Sequence, residues 1–196
     1  MIVIAGGIGS GKSVVARMLR LRGYGVLDCD SEASLLMNTS PAVIEDVRRV
    51  SGHDVYREET VEGSRKLALD RKLLASRIFS EEEVRKEINR TVHRAVRERI
   101  EEWLGESKAN VFVETAIAAD SGIDRMAGEV WFVTADKAVR LERVLGRDNR
   151  TREEVERIME IQEKELERLE ASNVKIRIIR NNPDSNIMDR LRELGY

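Results

Sequence analysis

Gly6-Gly7-Ile8-Gly9-Ser10-Gly11-Lys12-Ser13 satisfies the pattern G-x-x-x-x-G-K-[ST] at every fixed position, and its surroundings are those its mechanism demands. Before it runs Ile2-Val3-Ile4-Ala5, a short apolar stretch suited to a strand buried on both faces. After it, Val14, Val15, Met18 and Leu19 recur at helical spacing until Gly23. A glycine-rich turn between strand and helix lets successive backbone N–H groups, together with the helix N-terminus, point at phosphates. Gly7, Gly9, Ser10, Gly11, Lys12, Ser13 and Val14 are therefore expected to line an ATP phosphate site. Lys12 would reach the β- and γ-phosphates, and the Ser13 hydroxyl would ligate Mg²⁺, an oxygen-seeking cation. A glycine turn that binds nothing would leave the coincidence of full pattern and flanks without a cause.

The rest of the chain repeats the strand-then-helix alternation. Gly25 to Leu27 reads as a second strand, and residues 31–51 as helical, with Pro41 starting a helix. Residues 52–63 read as polar and turn-like. Ser80 with Glu83 forms a capping-box pattern ahead of a long helix whose apolar face is Val84, Ile88, Val92, Val96, Ile100 and Trp103. Val111 to Val113, ending in Glu114, and Val130 to Val133, ending in Thr134, read as further buried strands. A helix follows over 137–145, and Thr151 with Glu154 caps a charged helix reaching about Leu169. A last strand spans 175–179, and residues 187–194 close as a helix. Apolar, non-alternating strands among helices predict an α/β fold with a five-stranded parallel sheet covered on both faces, with ligands at the carboxyl ends of its strands.

The 196 residues allow one domain with a substantial core. Lys+Arg (34) nearly balance Asp+Glu (36), so no global field singles out nucleic acid or membrane as a partner. A single cysteine, Cys29, rules out an internal disulfide framework. The N-terminus shows neither a basic flank nor a long apolar run. These features predict a soluble, cytoplasmic monomer or small homo-oligomer.

A phosphate loop alone does not separate kinases from GTPases or motor ATPases. The chain lacks an N-K-x-D guanine-reading signature and a large domain for mechanical coupling. Small-molecule phosphoryl transfer is what remains, with a nucleotide-dependent switch as the alternative from another class. Asp28 and Asp30 flank Cys29 after the second strand, where one carboxylate is placed to orient an acceptor hydroxyl, or else to cap the following helix. Glu114 is placed either to hold the hydration shell of Mg²⁺ or to pair with a nearby cation. Arg147, and with it Arg143, are candidates to cover the γ-phosphate, whereas Arg140 on the same helix reads as a surface residue.

With its G-G-I-G-S-G-K-S loop and its Asp28-Cys29-Asp30 element, the chain resembles the dephospho-CoA kinase family. The likeness continues through Leu69-Asp70-Arg71, Leu74, Ile78-Phe79, Asn89, His93, Arg143, Arg147-Asp148, Thr151, Gln162 and Asn181-Asn182. It implies an α/β/α P-loop kinase fold over 1–196, with a core at 1–62, 105–139 and 171–196. A helical region for the CoA-like substrate would span 63–104, and a lid 140–170. It implies transfer from ATP, with Mg²⁺, to the ribose 3′-hydroxyl of dephospho-CoA, Asp30 acting as base beside Lys12 and Arg147. Asp28, Arg71, Leu74, Phe79, Asn89, His93 and Glu114 would hold the acceptor, and Arg143, Arg147 and Asn181 the ATP. On residues alone, His93 reads equally as a packing histidine. Two positions and one segment depart from the family pattern: Arg94 in place of proline, Pro183 in place of glycine, and residues 114–120 in place of P-L-L-x-E. The residues by themselves leave open another small acceptor, such as a nucleoside monophosphate or a sugar acid.

Overall fold

Apolar runs too short for helices become the interior of a parallel sheet. The structure, a computed structural model, describes residues 1–52, 54–61, 64–78, 81–106 and 111–196, with the side chains of 61 and 64–66 also outside the description. In chain order the elements are β1 (Ile2–Ala5), α1 (Lys12–Leu21), β2 (Gly25–Asp28), α2 (Cys29–Thr39), α3 (Pro41–Ser51), β3 (Tyr56–Val61), β4 (Ser64–Leu69), α4 (Arg71–Arg77) and α5 (Glu82–Glu106). They continue with β5 (Val111–Glu114), a 3-10 turn (Ile123–Met126), β6 (Glu129–Thr134), α6 (Lys137–Arg147), α7 (Arg152–Ala171), β7 (Ile176–Arg180) and α8 (Ile187–Glu193). Two compact units divide the chain: Met1–Asp28 with Leu104–Tyr196, and Cys29–Trp103. No helix among the described residues is long and apolar enough to cross a membrane.

In the first unit the strands pair in the order β2-β5-β1-β6-β7, all parallel. Val3, Ile4, Ala5, Phe112, Val113, Val130 and Val133 are wholly buried, as strands covered on both faces require. The expected five-stranded α/β sheet flanked by helices is thus present. On one face, Ile4, Phe112, Trp131, Val133 and Ile179 pack against Val15, Ala16 and Leu19 of α1 and Ile187 and Leu191 of α8. Tyr24, Phe112, Trp131 and Tyr196 add an aromatic group with ring centroids 5.2–5.6 Å apart, mostly edge to face. β1 is the central strand, and the chain leaves it for β2 on one side and later for β6 on the other. The loop after β1 therefore opens at the topological switch point, where such sheets bind ligands.

The second unit holds α2 to α4, most of α5, and a hairpin of β3 and β4 in register from Tyr56↔Leu69 to Val61↔Ser64. Two of its helices, α3 and α4, begin as their sequences prescribe. Pro41 opens α3 after Ser40, and Gly52 ends it at φ +65°, a left-handed cap that glycine takes without strain. Asp70 caps α4 by accepting from the Leu73 N–H at 3.0 Å. Residues 52–63, read as turn-like, instead contain β3. The exposed Arg57, Glu58, Glu59 and Thr60 give no alternation to read. Ser80 of the capping-box pattern and Phe79 lie outside the described residues.

Candidate active site

The phosphate loop is the connection from Ala5 to Lys12, and its backbone is fixed by side chains from distant elements. Gly11 caps α1 at φ +95°, a left-handed conformation natural to glycine, and a Cβ there would strike Nδ2 of Asn181. That amide, just past β7, donates to the Ser10 carbonyl at 2.8 Å in a buried bond. Ile8 is held twice: its N–H donates to Oε1 of Gln162 at 2.6 Å, and its carbonyl accepts from Nε of Arg140 at 2.9 Å. Arg143 Nη1 lies 3.5 Å from the Gly9 carbonyl, and Lys12 Nζ donates to the Gly7 carbonyl at 3.2 Å. Ser10 is buried, and its Oγ has no hydrogen-bond partner among the described residues. Ser13 and Val14 are exposed in the first turn of α1, where the Val14 N–H donates to the Gly11 carbonyl at 3.0 Å and the positive end of the helix favours an anion.

Two carboxylates stand at the same end of the sheet. Asp28 ends β2, Glu114 ends β5, and the two are register partners. Residues in register on neighbouring parallel strands share a face, so both belong to the face covered by α1. This juxtaposition rests on pairing between strands that the whole second unit separates in sequence.

The lid candidates divide. Arg140 is half-buried, and desolvation pushes its guanidinium pKa down while Glu163 acts in the opposite sense. Arg147 is exposed and makes two bonds to Asp148, at 2.8 and 3.1 Å, and this pairing holds the Arg147 pKa above its ordinary value. Arg150 stands 3.7 Å from the same carboxylate. In this state, then, Arg140 and Arg143 engage the loop while Arg147 is tied to its neighbour.

Asp30, Arg71, Leu74, Asn89 and His93 belong to the second unit. Asp30 is exposed in the first turn of α2 and lines an open depression with Ser31, Ser34, Leu35 and Asn38. Arg71, the first residue of α4, donates to Ser34 Oγ at 2.9 Å, so it adjoins that stripe. Leu74 is buried, Asn89 exposed and His93 half-buried. The last two sit one helical turn apart on α5. Phe79 lies outside the described residues. Cys29 is buried, as a small filler would be.

Sequence reasoning gave no role to Gln162 and read Arg140 as surface. The signal for Gln162 was present: Val155, Met159, Gln162, Glu165 and Leu169 form an inward stripe at helical spacing, and a polar residue inside such a stripe needs a polar partner.

Comparison with known proteins places this geometry in a family. A dephospho-CoA kinase of Porphyromonas gingivalis is 34% identical over 165 residues, covering 84% of this chain and 78% of that one. The crystal structure of TT1252 from Thermus thermophilus superposes with a TM-score of 0.76 at 32% identity, covering 99% of this chain and 93% of that one. Dephospho-CoA kinase from Campylobacter jejuni shares the fold, with a TM-score of 0.63 at 21% identity over 99% of this chain and 93% of that one. The dephospho-CoA kinase (CoaE) family profile matches residues 1–186, and the chain belongs to that family.

Proposed function

We propose that the protein transfers the γ-phosphoryl group of ATP to the ribose 3′-hydroxyl of dephospho-CoA, giving coenzyme A and ADP. The observation that carries the reading is the phosphate loop, held from outside by Arg140, Gln162 and Asn181 in a chain of this family. Phosphoryl transfer asks little covalent chemistry of a protein, so positioning and electrostatics supply most of the catalysis.

In this reading Lys12, the loop residues Gly7, Gly9, Ser10, Gly11 and Ser13, and the exposed first turn at Val14 bind the triphosphate. Asp30 orients the acceptor hydroxyl and takes its proton as the new O–P bond forms and the bond to the β-phosphate oxygen breaks. Arg147 leaves Asp148 for the γ-phosphate oxygens, with Arg143 beside it. Asp28, Arg71, Leu74, Phe79, Asn89, His93 and Glu114 hold the acceptor. The Ser13 hydroxyl, with the Glu114 carboxylate at the sheet's carboxyl end placed to hold the hydration shell, is a hard oxygen set that fits Mg²⁺. Mg²⁺ bound there would neutralise charge on the β- and γ-phosphates. A cytoplasmic monomer or small homo-oligomer with no nucleic-acid or membrane partner completes the proposal, supported by the near balance of 34 basic and 36 acidic residues.

The test is a folded Asp30→Asn protein, with the product identified by mass and by position of the new phosphate. The reading predicts a loss of turnover of about a hundredfold or more, with ATP binding retained and wild-type product phosphorylated on the ribose. Undiminished turnover in the variant would remove Asp30 from its role.

A further inference from the structure

Ile8 is gripped by both of its backbone polar groups, from two different helices. Gln162 of α7 accepts from its N–H at 2.6 Å, and Arg140 of α6 donates Nε to its carbonyl at 2.9 Å. These are short, well-formed bonds, whereas the Arg143 contact to Gly9 at 3.5 Å is at the limit of one. Gly7 makes the grip possible. A Cβ there would collide with Arg140 Nη2 and come within 3.2 Å of Gln162 Oε1.

Packing alone does not call for this polar pair. Leu141, Val144, Val155 and Met159 already form an apolar cluster between α6 and α7, with Ile8 and Leu145 packed against it. Yet Arg140 Nη2 is buried without a hydrogen-bond partner among the described residues, a placement that costs free energy. Residues that only filled space here would be apolar. The second anchor of α7 points the same way: Glu165, one turn on from Gln162, accepts from the Ala119 N–H in the loop after β5 at 2.7 Å. One face of α7 thus fastens two of the loops at the sheet's carboxyl end.

We propose that Arg140 and Gln162 are positioning residues, a two-sided clip on Ile8 that sets the phosphate loop for ATP before the nucleotide arrives, without touching the nucleotide themselves. Outward-facing backbone groups are satisfied by the clip, so the inward N–H groups stay directed at the phosphates. Ordering that is already present in the free protein need not be supplied by binding, which raises affinity. The inference rests on the ATP-binding half of the proposed function and is independent of which acceptor is used.

The test compares wild type with Gln162→Leu, Arg140→Met, the double variant and Arg140→Lys. ATP dissociation constants are measured without acceptor, then KM for ATP, KM for dephospho-CoA and kcat. Each of the first two single variants should weaken ATP binding about tenfold while the KM for dephospho-CoA stays within about twofold. Because both residues act through Ile8, the double variant should lose little more than one single variant, where independent effects would multiply to about a hundredfold. Arg140→Lys keeps a donor for the carbonyl and should stay within about threefold of wild type. Unchanged ATP affinity in the folded variants, a multiplicative loss in the double, or an equal rise in both KM values overturns the proposal. Should Gln162→Leu fail to fold, the two Arg140 variants still decide it. Absence of ATP binding in wild type would overturn the functional reading itself, a result distinct from any of these.

Discussion

Replacing Asn181 by alanine removes the amide that ties the end of β7 to the phosphate loop. Asn181 is 9% exposed, and its Nδ2 donates to the Ser10 carbonyl at 2.8 Å. The variant leaves that carbonyl unpaired in a buried site, which costs about 1–3 kcal/mol. In a chain of this size each kcal/mol shifts Tm by about 2–4 °C, so the melting temperature should fall by about 2–12 °C. The same amide supports Gly11, where it fills the space a Cβ would need. ATP affinity should therefore drop as well, by about tenfold. Thermal melting by circular dichroism and ATP titration by calorimetry read the two effects separately. Asn182 is the control: its Oδ1 accepts from the Asp136 N–H at 2.9 Å at the exposed start of α6. Asn182→Ala should lower Tm slightly and leave ATP affinity within about twofold of wild type. Wild-type Tm and ATP affinity in Asn181→Ala, or an equal affinity loss in Asn182→Ala, would refute the reasoning.

Further consequences can be checked in the same assays. Burial raises the Glu165 pKa above its ordinary 4.5, against the lowering effect of its bond from Ala119. A carboxyl whose folded pKa is raised contributes stability that is full below the unfolded value and lost as pH rises through the folded one. Glu165→Gln should therefore melt like wild type near pH 4 and gain on it as pH rises above about 4.5, with a constant gap across that range counting against the linkage. Thr151 and Glu154 complete a capping box on α7, so Thr151→Ala should cost about 1 kcal/mol and lower Tm by about 2–4 °C. Glu114→Gln should raise the Mg²⁺ concentration for half-maximal turnover about tenfold, and an unchanged Mg²⁺ dependence would make Glu114 a structural partner only.

Much of this was legible because its causes are local. The phosphate loop, the apolar strands and the Thr151 capping box each follow from a few adjacent residues, and β1, β5, β6 and α7 fall where the pattern put them. The hairpin was not legible, since charge on both faces of β3 hides the period that marks a strand. The clip on the loop escaped for another reason: Ile8 and Gln162 are 154 positions apart, and only the tertiary fold brings them together. Arg140 shows the same limit from the other side. An arginine on a charged helix reads as solvated, and its partial burial against Ile8 and Gly7 depends on where α6 docks. The pairing of Asp28 with Glu114 lay between these cases, each visible as a strand end while their register was not.

Acceptor-dependent ADP release tests phosphoryl transfer from ATP to dephospho-CoA most directly. Purified protein with ATP and Mg²⁺ would be assayed with dephospho-CoA, AMP, shikimate, gluconate and no acceptor. Strong stimulation by dephospho-CoA alone is the predicted result. Stimulation by another acceptor would keep the phosphate-loop chemistry and discard the acceptor assignment, and stimulation by none would contradict the account.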